Sequence, residues 1–202
     1  MTNPLLVASS LEFELPPFDL INDGHYREGF TAGMKEQRQE IDAILGQPGE
    51  ATFENTIVAL EKSGSILTRT SNVFFNKSSS DTNDTIDAIE AEFAPLLSAH
   101  EDAIYLNEDL FKRIDSLYKR RDSLGLDEAD RWVLELYYKD FVHAGANLPA
   151  EKRERLKAIN EELSVLETQF SKNVLADSND LGIVIDEDRK STRLNSSHSS
   201  VS

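Results

Sequence analysis

From Asp23 almost to Ser178, apolar residues recur every three to four positions with hardly a break. That spacing lines them along one face of an α-helix and leaves no room for the strict alternation of a half-buried strand. Phe30, Met34, Ile41 and Ile44 mark a first helix, stopped by Gly46 and Pro48. Thr52 is placed to cap a second, in which Ile57, Leu60, Leu67 and Phe74 share a face as far as the serines at 78–80. Asp81 or Thr82 opens a third, with Ile86, Ile89, Phe93, Leu96, His100 and Ile104 in register. Pro95 is expected to kink or split that helix, because it lacks an N–H and clashes with the preceding turn. Asn107 caps a fourth, carrying Leu110, Ile114 and Leu117 and closed near Gly125. A fifth runs from Asp127 to Gly145 with Trp132, Leu136, Tyr137 and Phe141. Pro149 sits in the favoured first turn of a sixth, striped by Leu156, Ile159, Leu163, Leu166, Phe170 and Val174.

The ends depart from this pattern. Pro4, Pro16 and Pro17 disfavour helix, so residues 1–22 read as an extended arm lying on the helical body, 23–178. "LGIVID", 181–186, reads as one short β-strand within a segment 179–188, and no convincing strand upstream can pair with it. It is an unfinished element. The fold class is therefore mostly α. The last residues, "RKSTRLNSSHSSVS" at 189–202, are basic, Ser-rich and patternless. They resemble translated sequencing-adapter DNA, so this tail is expected to be disordered and non-native, with native sequence ending near Asp188.

Charge narrows the function classes. Residues 1–188 hold 18 basic and 37 acidic side chains, a formal −19 against −16 for the whole chain. Such a surface repels polyanions, so neither nucleic acid nor an anionic membrane is an expected partner. There is no cysteine, which removes disulfides, thiolate nucleophiles and Cys-ligated metals. No signal peptide or membrane-spanning run is visible, and the expected location is the cytoplasm.

Four histidines are the natural start for a search for chemistry. "HEDAI" opens like the zinc helix H-E-x-x-H, in which two imidazoles one turn apart clasp the metal and the Glu serves as base. Here Ile104 stands where the second imidazole belongs, and His100 lies on the apolar stripe, so it reads as a packed histidine. Asp140-x-x-His143 has the spacing of di-metal bundles but no second copy, and reads as a surface pair near a helix end. His25 lies in a first helical turn and His198 in the tail, neither with a visible partner. No P-loop, dinucleotide fingerprint or nucleophile elbow occurs. The residues assigned as catalytic, cofactor-binding or metal-binding are none.

The words "NPLL", "PPFDLINDGHY", "GMKEQRQEIDAI", "ATFENTIVALEKSG", "HEDAIYLNEDLF" and "LELYYKDFVHAGANL" follow one another along the chain. In that order, and continued by "LKAINEELSVLETQFSKNVL", they resemble the N-terminal region of bacterial peptidyl-dipeptidases, in the thimet oligopeptidase-like family of zinc metallopeptidases. The resemblance implies a helical shell around a narrow channel that admits short peptides and releases dipeptides from their C-terminal end. The helices here would form one wall, and the C-terminal catalytic half would be the missing partner. Zinc and its H-E-x-x-H helix would lie downstream, so this fragment is expected to bind no zinc and to be inactive alone. Two alternatives stand beside this: an oligopeptidase of the same family cutting internal bonds, and a non-catalytic acidic helical scaffold. Helices built against an absent partner should also expose apolar stripes and favour association.

Overall fold

The computed structural model describes residues 3–181. The chain divides into two compact units, Met1–Thr168 and Gln169–Ser202. Helices dominate: α1 (Gly24–Leu45), a π-helical turn (Phe53–Val58) leading into α2 (Ala59–Glu61), α3 (Ser65–Ser80), α4 (Asp84–Tyr105), α5 (Glu108–Arg120), α6 (Glu128–Ala144) and α7 (Ala150–Asp180). No strand occurs among the described residues. Leu181 is a turn after α7, and the rest of the expected strand, 182–186, lies outside the described residues, as does the 189–202 tail.

Local chemistry sets most helix ends. Asn107 Oδ1 accepts from the Asp109 and Leu110 N–H groups, and Asp127 Oδ1 from that of Asp130, as the sequence indicates. Thr52 and Asn55 exchange side-chain bonds with each other's N–H at 3.1 and 2.8 Å, a reciprocal cap. The third start differs from expectation. Asn83, not Asp81 or Thr82, caps α4.

The expected single helix after Thr52 is broken. Gly64 takes φ +74°, and its N–H donates to Glu40 Oε2 at 2.7 Å, ending α2 and redirecting the chain into α3. The break has a packing reason. Ile57 and Leu60 join one apolar cluster, with Ile41, Ile44, Leu110 and Phe141. Val73 and Phe74 join another, with Leu5, Tyr26, Phe30 and Phe93.

α1 and α4 span both clusters. Phe30 stacks on Phe93 at 5.0 Å between ring centroids and meets Phe74 edge-on at 5.1 Å. Ile41, Ile44 and Ile104, further along these two helices, belong to the first cluster. Pro95 lies inside α4 without splitting it, because residues buried on both sides, Phe93 and Ile104, hold the halves in place. Each fully buried leucine or isoleucine contributes about 1.5–3 kcal/mol, comparable with the cost of one interior proline, about 3 kcal/mol.

Some expected stripes face the other way. Leu96 and Trp132 are exposed, and Leu97 and Leu134 take the inward positions. On α7 within the first unit, Ile159, Leu163 and Leu166 are exposed.

The N-terminal arm, expected to be extended, contains three short 3₁₀ turns, Pro4–Leu6, Glu12–Glu14 and Phe18–Leu20. Leu5 is its buried anchor. Asn3 Nδ2 donates to the His25 carbonyl at 2.9 Å, and Arg69 Nη1 donates to the Leu5 carbonyl at 2.8 Å.

Candidate functional site

Where the two clusters meet, the helices turn polar. Gln37 and Arg38 interrupt the apolar face of α1 between Phe30 and Ile41, and His100 interrupts α4 between Phe93 and Ile104. The three meet. His100 is 1% exposed; its Nε2–H donates to Gln37 Oε1 at 2.7 Å, and its Nδ1 accepts from Arg38 Nε–H at 3.4 Å. Burial, and then the Arg38 charge, hold the imidazole pKa below its ordinary value, so the ring favours its neutral form.

Two adjoining grooves open on this seam. One, of about 580 Å³, lies between α3, α4 and α7 and is lined by Ser71, Phe75, Leu97, Glu101, Asn160 and Glu167 among others. The second, of about 340 Å³, continues past Glu101 to Asn72, Tyr105 and Tyr137. Asn160 Nδ2 donates to Asp102 Oδ1 at 2.7 Å, tying α7 to α4.

The groove is acidic. Burial, and secondarily Asp102, push the Glu101 carboxyl above its usual range. Burial raises Tyr105, helped by Asp140, Glu101 and Glu61. Tyr137 is pushed well above the ordinary tyrosine range by burial and by its hydrogen bond to Glu61.

This arrangement suits binding better than bond cleavage. Both nitrogens of His100 are committed to Gln37 and Arg38, so the ring offers no lone pair for a metal and no free site for a base. Ile104, in the second ligand position of "HEDAI", is buried in the first cluster. Asp140 and His143 are both exposed near the end of α6, and among the described residues no three His, Asp or Glu side chains gather as a metal-binding group. The donor set here therefore does not fit a zinc ion. His25 does have a partner, since the Asn22 N–H donates to its Nδ1 at 3.2 Å.

Of the seam, sequence reasoning singled out His100 alone. Gln37 and Arg38 stand more than sixty residues away from it, and no local pattern joins them. Glu101 is legible in the sequence only as part of "HEDAI".

Comparison with known proteins finds the chain similar to peptidases. No family model matches it. It is 41% identical over 186 residues to the dipeptidyl carboxypeptidase of Salmonella typhimurium and 40% over 185 residues to that of Escherichia coli, in each case over 92% of this chain and 27% of the relative. Oligopeptidase A of E. coli is 29% identical over 175 residues, 87% of this chain and 25% of the relative. The chain thus spans about a quarter of the length of the curated relatives it matches, and it resembles the N-terminal portion of a dipeptidyl carboxypeptidase, as its sequence words indicate. No helix among the described residues is long and apolar enough to cross a membrane.

Proposed function

We propose that this chain is the N-terminal portion of a cytoplasmic zinc peptidase that removes dipeptides from the C-terminal end of short peptides. Its helices supply wall and confinement, and the reacting groups belong to polypeptide beyond this sequence. The observation carrying this reading is the 41% identity over 92% of the chain to a dipeptidyl carboxypeptidase, joined to the lack of any H-E-x-x-H among the 202 residues. Internal-bond cleavage is the second reading, supported by the 29% identity to oligopeptidase A.

The acidic groove at Glu101 and Asp102 is the part of this chain best suited to face a peptide, through the cationic end or side chains of a substrate. The test has two arms. The 202-residue chain, purified alone, should hold no stoichiometric zinc and should leave a quenched peptide uncut. Extended after Asp188 by the portion of the Salmonella relative that follows the matched region, it should release dipeptides, identified by mass spectrometry, in a chelator-sensitive way. Chelator-sensitive turnover by the chain alone would overturn the assignment of roles. Release of internal fragments only would favour the oligopeptidase.

A further inference from the structure

The surface that the fold leaves least explained is the arm between its Leu5 anchor and α1. Val7, Leu11, Phe13, Leu15, Phe18 and Leu20 are each half or more exposed, and Phe13 is 87% exposed. Scattered apolar side chains on a surface need no account, but six within fourteen residues are a patch. The arm is nevertheless held in shape. Asn3, Leu5 and Arg69 fix its start, and backbone bonds such as Glu14 N to Leu11 O at 3.0 Å and Leu20 N to Pro17 O at 2.9 Å close its turns. At its tip Phe13 and Glu14 take φ +57° and +55°, a left-handed pair of non-glycine residues. Such backbone strain persists where contacts elsewhere over-determine it, and in this chain nothing packs on Phe13 to do so.

We propose that residues 7–20 are a docking arm for the remaining polypeptide of the peptidase, seated in an apolar groove with a basic rim on that part. This rests on the functional reading above. Two observations select the occupant. The relatives are nearly four times as long as their matched region, so most of their mass lies outside it and is available to cover the arm. The arm carries Glu12, Glu14 and Asp19 and no Lys or Arg, and the whole chain is formally −16. A second copy would bring like charge against like, whereas an apolar, positively rimmed surface complements both features.

The test follows amide exchange at 7–20 in the full chain, alone and extended after Asp188 as above. Exchange should be fast in the chain alone at every concentration and slower by at least about tenfold in the extended protein, the change that coverage of an exposed segment produces. Phe13→Ala should leave the melting temperature of the chain alone unchanged and lower that of the extended protein. Unprotected amides in both proteins overturn the proposal, and so does protection in the chain alone that rises with concentration, which marks a second copy as the occupant. Exchange in the intact Salmonella relative, at the residues aligned with 7–20, gives a reading that does not depend on the joined protein folding, and free exchange there also overturns it. Peptide cleavage is scored separately. An active extended protein with an unprotected arm refutes the docking alone, and a protected arm without dipeptide release refutes the functional reading alone.

Discussion

The contact between α1 and α3 is tight enough for one added methyl group to report on it. A Cβ built on Gly29 would lie 2.7 Å from Thr70 Oγ1 and 2.9 Å from Thr70 Cγ2, and one on Gly33 would lie 2.6 Å from the Leu67 backbone N. Ordinary contacts of this kind are near 3.5–4 Å, so each alanine forces a shift approaching 1 Å. Overpacking of a core typically costs about 1–3 kcal/mol, and replacing a helical glycine by alanine returns about 0.8–1 kcal/mol. Gly29→Ala should therefore destabilise by about 0–2 kcal/mol. The offending atoms are all on the Thr70 side chain, apart from Leu5 Cδ1 at an ordinary 3.4 Å. Thr70 Oγ1 is also buried with no hydrogen-bond partner, so Thr70→Ala gives up little and removes an unsatisfied hydroxyl that costs about 1–3 kcal/mol. In a urea-melt double-mutant cycle, Gly29→Ala with Thr70→Ala should recover the loss, with a coupling of about 1–2 kcal/mol. At Gly33 the clash is with backbone, and Leu67→Ala should give no rescue of Gly33→Ala. Equal rescue at both sites, or none at Thr70, would refute the reasoning.

Other predictions concern the seam and the helix ends. The folded-state pKa of His100 is depressed, so its contribution to stability is complete above the unfolded value of about 6.5 and is lost as pH falls through that value towards the folded one. Glu101, raised by burial, works in the opposite sense, losing stability as pH rises through its folded pKa. The difference between wild type and His100→Gln, melted from pH 8 to 5, cancels that term and should shrink as pH falls; a flat difference would count against the neutral, doubly bonded imidazole. Asn107→Ala removes the acceptor for two N–H groups and should cost about 1 kcal/mol in a urea melt, with no loss if the cap is idle. Gly64→Ala places a Cβ 2.5 Å from Gln37 Nε2 at φ +74° and should cost at least about 1 kcal/mol, measured the same way. Substituting Gly49, where a Cβ meets nothing within 4 Å but φ is also positive, isolates the backbone share of that cost.

What the sequence determined by itself was local. Asn107 and Asp127 start helices because their side-chain oxygens reach N–H groups two or three residues on, and that geometry needs no other part of the chain. The run of words from "NPLL" to "YYKDFVHAGANL" is equally legible, and it carries the resemblance to the peptidases. The tertiary structure alone decided which faces meet. Periodicity put Leu96 and Trp132 on apolar stripes, yet Leu96 is exposed while Leu97 packs inward, and Trp132 is exposed while Leu134 is buried, because a stripe has an angular width that its partner resolves. The stop at Gly64 has a local signal in Ser63-Gly64, but the apolar period runs through it, and only the fold places Leu60 in one core and Phe74 in the other. The seam itself, with His100 between Gln37 and Arg38, joins residues more than sixty positions apart. Caps and periods act over a few residues and are written in the chain, whereas a buried polar contact exists only once two helices have been brought together.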